Sequence, residues 1–411
     1  MLERLRVRDE STRWLLAGGL LALVVGIPMA VSGPGNDLDV GNVFRSGRAI
    51  ARHLSYVPSR APGAPVHELV VGVLDLVGGP LLTNLASIAA AIGLLLALDR
   101  LLAREGLGPG RRWALALVAA NPWFLVAATS TADYVFALLF VVLAALALRS
   151  DRPVLAGALA AASMGCRIGS AFLVLALLLA ELTEPRSPAS SVAAGDTDAP
   201  TADRARSRRR AVVTAAVAAV VTAVLFIPSV VAAGGLAFAQ NDFATSTLVV
   251  QLGRAAIKDL TLLGPVASVV LLFAVPALWA ALRTWRTSWL VRFAVPGFVL
   301  SQALFVRFPW KMPHLLPCLL CLAVALAVAL HRKPALLVGL VALQLLFCVV
   351  RLDLVQPDNP NEATGGKAGV GVGWGPVVTD WRCRREHPNA YLGRQKVEIE
   401  QAWDCAKPFG G

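Results

Sequence analysis

Apolar residues run along this chain in unbroken blocks rather than in alternation with polar ones. Leu15 to Val31, Leu81 to Leu98 and Ala211 to Val231 contain no charged residue. Crossing the hydrocarbon core of a bilayer takes ~20 such residues in a helix. A helix on the surface of a soluble core shows a polar stripe, and these blocks show none. The pattern predicts an all-α polytopic membrane protein with about eleven transmembrane helices: 13–32, 79–98, 112–129, 134–148, 153–166, 168–182, 211–232, 261–282, 289–306, 314–330 and 334–350.

The polar segments between the blocks give an orientation. Lys and Arg concentrate in cytoplasmic loops, and every second connection here is basic. Arg4, Arg6 and Arg8 precede the first block; Arg100, Arg104, Arg111 and Arg112 follow the second. Arg149 and Arg152, the run from Arg204 to Arg210, Arg283 with Arg286, and Arg332 with Lys333 continue the series. This predicts a cytoplasmic N-terminus, an extracytoplasmic C-terminus and residence in the cell (plasma or inner) membrane. The basic start lacks a small-residue cleavage site before its apolar run, so the first block reads as a retained span, not a removed signal peptide. Pro153 to Leu182 would reach ~45 Å as one helix, and both flanking loops are basic. It must therefore cross twice, with Arg167 at the tip of a hairpin on the outer side.

Two outer segments are predicted to lie flat. In the loop 33–78, Val40, Val43, Phe44, Ile50, Ala51 and Leu54 recur at helical spacing, with Arg45, Arg48 and Arg52 on another face. That is an interfacial amphipathic helix, capped by Asn36 or Asp37. A similar segment runs from about Ser246 to Leu260. The loop 183–210, rich in Pro, Ser, Ala and charge, reads as a disordered cytoplasmic linker. Residues 1–350 thus form the membrane domain, and 351–411 a small external C-terminal region in which Cys383 and Cys405 are expected to form a disulfide. Cys166, Cys318, Cys321 and Cys348 lie in apolar blocks and read as packing.

Composition agrees with this picture: the 411 residues are 57% hydrophobic and 16% charged, with mean hydropathy +0.67. The net charge of +12 is spread through the loops, which points to topology and acidic lipid rather than nucleic acid. No P-loop, GxGxxG after a strand, HExxH or GxSxG occurs, so soluble nucleotide chemistry has no visible site.

The candidate chemistry lies in the outer loops. Asp37 and Asp39 follow the first span, and a carboxylate at the membrane surface can act as general base on a sugar hydroxyl. Asp37 alone satisfies the helix cap, leaving Asp39 less explained and the better candidate base. Tyr56 to Glu68, with His67 beside Glu68, contains three prolines and a glycine and predicts a rigid loop that holds Arg60 toward a phosphate; a solvated turn is the plainer alternative. Asp133 sits in the short hairpin from Thr129 to Tyr134, where helix capping is the default role. A pairing with Asp39, or a divalent cation shared with His67 or Glu68, ranks below it. Arg167 is costly at membrane depth unless it faces a polar cavity. Arg307, Lys311 and His314 share one tight loop and can bind an anion, or anchor the loop at the interface with Trp310. His314 alone makes no metal site. Together Arg45, Arg48, Arg60, Arg167, Arg307 and Lys311 place positive charge where topology disfavours it, and an anionic lipid-linked substrate would explain that.

The first span, the outer acidic motif Asn36-Asp-Leu-Asp39, the interfacial helix and the many further spans resemble the GT-C glycosyltransferases. These polyprenyl-phosphate-sugar-dependent membrane enzymes include protein mannosyltransferases and lipid A aminoarabinose transferases. Pro58 to Gly63, Thr129 to Tyr134 and Gly165 to Gly169 look like motifs of prokaryotic members, and Arg307 to Leu316 resembles the loop before a Leu-Leu-Pro span. The likeness covers roughly residues 10–350. It implies an inverting transfer of sugar from a polyprenyl-phosphate donor to a lipid, glycan or protein acceptor on the extracytoplasmic face. Asp39 or Asp37 would be the base, and Arg60, Arg167 and Lys311 would hold the leaving phosphate. A transporter or lipid flippase and a non-catalytic envelope-assembly scaffold are the rival readings. The scaffold needs no convergence of Asp39, Asp133 and Arg167, and the flippase is expected to show an internal repeat, of which the chain shows none.

Overall fold

In a computed structural model of the chain, the described residues are 16–20, 23–183, 199–235, 247–355, 369–388, 401 and 405. Their regular elements are helices and one antiparallel two-stranded sheet, β1 (Val350–Val355) paired with β2 (Gly369–Trp374). Among them, five helices are long and apolar enough to cross a membrane: Pro65–Arg104, Ala205–Ala232, Pro265–Arg286, Trp289–Arg307 and Met312–Leu330. Shorter apolar helices stand with them at Tyr134–Arg149, Pro153–Cys166, Ile168–Leu182 and Pro334–Val349. Large apolar side chains point outward along these helices, including Val220, Phe273, Trp279 and Val299, as a lipid-facing surface requires. The chain is built as a membrane protein. Among the described residues, five helices long enough to span and several shorter apolar ones do not by themselves establish the expected count of about eleven spans.

Helix α1 (23–32) ends in a turn, 33–36, that leads into α2 (Leu38–His53). Asp37 caps α2, its carboxylate accepting from the Asp39 amide at 2.8 Å. Helix α3 (Pro65–Arg104) starts well before the apolar block expected at 79–98. Pro65 supplies a first-turn residue that needs no amide donor. Gly78 and Gly79 leave helical geometry, with φ +63° at Gly79, and Pro80 follows. The first leg of α3 can therefore lie across α2 while the second joins the bundle.

The expected span 112–129 is two helices, α4 (Arg111–Ala119) and α5 (Pro122–Ala128). Pro122 lacks an amide donor, and the Asn121 side chain accepts from the Trp123 and Phe124 amides at 3.1 and 3.2 Å, so a new helix starts there. The Asn121 amide then donates to Leu262 and Gln344, fixing the break inside the bundle. Helices α6 (Tyr134–Arg149), α7 (Pro153–Cys166) and α8 (Ala171–Leu182) run up and down, with Arg167 in extended backbone where α7 ends.

The expected linker 183–210 also changes. Residues 199–210 are the start of the helix Ala199–Ala232, and 184–198 lie outside the described residues. The second amphipathic segment is the helix Leu248–Leu262; Ser246, its expected start, lies outside them too. At one end of the bundle Arg149 pairs with Glu105 and with the fully buried Glu181, which also meets Arg210. The acids and cations singled out in the sequence lie at the other end.

Helix α2 and the first leg of α3 cross backbone to backbone. A Cβ on Gly72 would fall 2.2 Å from the Gly47 carbonyl oxygen, and one on Gly47 would fall 2.7 Å from the Gly72 nitrogen. Neither backbone can yield without moving a helix. Gly72→Ala should cost ~1–3 kcal/mol, the range for overpacking, read as a lower melting temperature in detergent. An unchanged melting curve would show that the crossing is not close-packed.

Candidate functional site

The site is assembled from five loop segments. The turn 33–36 is tied to the hairpin carrying Asp133, because the Thr131 amide donates to the Pro34 carbonyl at 2.9 Å. Gly35 has φ +115°, and a Cβ there would fall 2.6 Å from that of Ser130, so only glycine fits the junction. The loop 56–63 is fixed by Glu68, which is fully buried. Its carboxylate accepts from the Tyr56 hydroxyl at 2.6 Å and from the Ser59 amide at 2.8 Å. Arg60 follows Ser59 directly and is thereby aimed inward. Arg167 comes from the α7–α8 tip and Lys311 from the loop after Trp289–Arg307.

These loops bring six charges together. Arg60 meets Asp39 at 3.3 Å and makes a very short pair with Asp133. Arg167 reaches Asp133 at 3.1 Å and lies over the Tyr134 ring, 4.2 Å from its centroid. Lys311 bridges Asp37 at 2.5 Å and Asp39 at 2.9 Å. The Tyr134 hydroxyl donates to Asp37 at 3.5 Å, and the His314 ring tilts against Tyr134 at 5.9 Å. The side chains of Asp39, Asp37 and Asp133 are 27%, 14% and 2% exposed, so Asp39 is the acid that a molecule from outside can reach.

The electrostatics follow from the pairing. Burial alone would raise the carboxyls of Asp39 and Asp133. At Asp39, Arg60 and Lys311 outweigh it; at Asp133, Arg60 and Arg167 do, and both acids are held below the usual carboxylate range. Burial works the other way on Arg60 and Lys311, but their carboxylate partners keep both more firmly protonated than usual. Three negative and three positive groups leave the cluster neutral as a whole.

Other residues named from the sequence lie elsewhere. Arg48 is paired with Asp75 of α3 at 2.6 and 3.2 Å, Arg45 is exposed on α2, and Arg307 is exposed with its guanidinium over Phe308. Asp133 does not cap α6: its side chain makes no cap hydrogen bond, because both oxygens serve arginines. His67 is fully buried near Phe136, and neither ring nitrogen has a hydrogen-bond partner among the described residues.

Two contributors escaped the sequence reading. Arg384, on the helix Pro376–Glu386, is almost wholly buried and donates to the carbonyls of Met29, Gly33, Val126 and Thr129. Asp380 pairs with it at 2.7 Å and accepts from the Asn36 side chain at 2.9 Å. Asn36, a cap candidate in the sequence, thus fastens the C-terminal helix to the turn before Asp37. The Asp380–Arg384 spacing was the available signal, though surface pairs share it. Cys383, next to Arg384, is bonded to Cys405 as a disulfide.

The donor sets do not suit a divalent cation. Lys311 and Arg60 already occupy Asp39, and Tyr56 and Ser59 occupy Glu68. Among the described residues, Glu386, His387 and Cys405 cluster closely enough to hold a metal ion, but the Cys405 sulfur is in the disulfide and offers no thiolate.

No family model matches this chain, and no curated protein does. Among solved structures, the crystal structure of an oligosaccharyltransferase from Archaeoglobus fulgidus, in complex with zinc and sulfate, is similar at 17% identity with a TM-score of 0.42. The match covers 81% of this chain and 50% of that one, so the chain spans about half the length of that protein.

Two measurements check the electrostatics. Asp133→Asn would leave two guanidiniums facing a neutral amide, at a cost on the order of 3 kcal/mol, seen as a melting temperature several degrees lower. No loss would mean the triad does not hold the loops. Away from the cluster, burial raises the carboxyl of Asp259 from 3.8 to about 6 against the pull of its hydrogen bond from Gln302. The folded chain therefore holds this proton more tightly than the unfolded one, and the stability so gained is full below about pH 4 and lost as pH rises through about 6. Asp259→Asn should melt higher than the parent at about pH 7.5 and no higher at about pH 4; equal melting at both would remove the assignment.

Proposed function

We propose that this protein is a membrane glycosyltransferase that moves a sugar from a polyprenyl-phosphate-linked donor to an acceptor hydroxyl on the extracytoplasmic face. The observation that carries the proposal is the convergence of Asp39 with Arg60, Arg167 and Lys311 at one end of an apolar bundle, beside the amphipathic helix α2. A lipid-anchored phosphate confines its sugar to the bilayer surface, and a cluster placed there meets it without a deep pocket.

In this reading Asp39 takes the proton of the acceptor hydroxyl. That oxygen attacks the anomeric carbon from the face opposite the phosphate, and the carbon–oxygen bond to phosphate breaks. The electron pair leaves on the polyprenyl phosphate, and the configuration inverts. Arg60 offers a planar fork of donors to the phosphate oxygens, while Arg167 and Lys311 add positive charge where the leaving group becomes negative. Asp133 is the positioning residue, holding both guanidiniums from the side away from the substrate. Asp39, the most exposed acid, is preferred to Asp37 as base. No step needs a metal.

Purified protein in nanodiscs, offered radiolabelled polyprenyl-phosphate sugars, should transfer label to a lipid, glycan or protein acceptor with inversion. Asp39→Asn should lower the rate ~10²–10⁴-fold, the range for loss of a general base, with melting and helical content retained. A folded Asp39→Asn variant with full transfer activity would sink the assignment.

A further inference from the structure

The charges at the site balance, and that raises a question about the donor. Each of Arg60, Arg167 and Lys311 already holds a carboxylate, so an arriving phosphate must take positive charge away from an acid. Arg60 and Arg167 enclose Asp133, which is 2% exposed and lies between them; releasing it would strand a buried charge. Lys311 is different. It sits on a short loop, and its ammonium is a point charge on a flexible stem that spans Asp37 and Asp39.

Asp37 is the unexplained partner. Its structural duty is to cap α2 by accepting from the Asp39 amide, and an asparagine does that as well as an aspartate. Its negative charge serves something else. Three donors meet its carboxylate: the Lys311 ammonium at 2.5 Å, the Asp39 amide at 2.8 Å and the Tyr134 hydroxyl at 3.5 Å. An ammonium, a helix-start amide and a hydroxyl together form an anion cradle.

We propose that Asp37 is an internal counter-anion that occupies Lys311 until the phosphate of a polyprenyl-phosphate lipid, diester in the donor and monoester in the leaving group, displaces it. The arriving phosphate then carries Lys311 off both acids, so Asp39 keeps only its 3.3 Å pair with Arg60 and is freer to act as a base once the donor is in place. This rests on the polyprenyl-phosphate reading above and assigns Asp37 a role apart from the base.

The test is binding of polyprenyl monophosphate, with the matching polyprenol and phosphatidic acid as controls, to the full chain in nanodiscs. Asp37→Asn keeps the cap and removes the competing anion, so its affinity for polyprenyl monophosphate should rise about tenfold, with no change for the polyprenol. Lys311→Met should bind more weakly than the parent, and adding Asp37→Asn to it should restore nothing. If Asp37→Asn proves unstable, Asp37→Ser supplies a neutral cap and should show the same gain. A folded Asp37→Asn or Asp37→Ser protein that binds polyprenyl monophosphate no tighter than the parent overturns the counter-anion role and leaves the transferase reading standing. A gain confined to phosphatidic acid overturns it as well, since the cradle would then read bilayer lipid. Failure of every protein, the parent included, to bind polyprenyl monophosphate removes both readings.

Discussion

The carboxylate of Asp133 between two arginines is the constraint on which the charged end of this molecule depends. An arginine at the edge of a membrane protein carries a heavy desolvation cost unless an acid meets it. Arg60 arrives on a proline-rich loop and Arg167 on a hairpin tip, and Asp133 receives both. Three chain segments are thereby held at one point. Asp39 and Lys311 join through Arg60, so a single buried acid sets the positions of groups far apart in sequence. Because Asp133 is inaccessible and Asp39 is not, one acid can hold the frame while the other faces an incoming molecule.

A second fastening lies behind the first. The turn 33–36 and the Asp133 hairpin share a backbone hydrogen bond, and Arg384 satisfies carbonyls left open at the ends of α1 and α5. Those ends have no further helical turn to donate to them, and five donors on one guanidinium suit the task. The helix Pro376–Glu386 therefore places its buried face, with Asp380 and Arg384, between the two acid-bearing loops. Asp380 balances the charge of Arg384 and reaches Asn36 beside Asp37.

Much of this was legible from the sequence, and the omissions share a cause. The apolar blocks, the amphipathic helix and the hairpin with Arg167 at its tip could be read locally, and Asp39, Arg60, Asp133, Arg167 and Lys311, each singled out by its own surroundings, lie together in the fold. Local rules failed where a partner came from elsewhere in the chain. Beside Ser130 and Thr131, Asp133 has the signature of a cap, and nothing nearby shows that two distant arginines will claim both its oxygens. Arg48 resembled a free cation until the crossing of α2 and α3 placed Asp75 against it. Hydropathy alone could not separate α4 from α5, because the break is made by Asn121 and Pro122 inside an otherwise apolar run. The same run length would have suited a single span.

Both ends of the bundle carry buried ion pairs, so pairing alone does not identify a functional site. The distinction lies in the backbone that supplies the charges. At the end carrying Glu181, its partners Arg149 and Arg210 come from regular helices, where such pairs join neighbouring helices. At the other end Arg60, Arg167 and Lys311 come from non-helical backbone, and only the first turn of α2 supplies Asp39 from a helix. Irregular segments on a rigid scaffold are where binding and catalytic groups concentrate, since a loop can aim a side chain that a helix would direct along its own face. This end is built of loops, balanced in charge and open at one acid, Asp39, which is the geometry the proposed anion exchange requires. At the helical end, Glu181 is fully buried between its arginines.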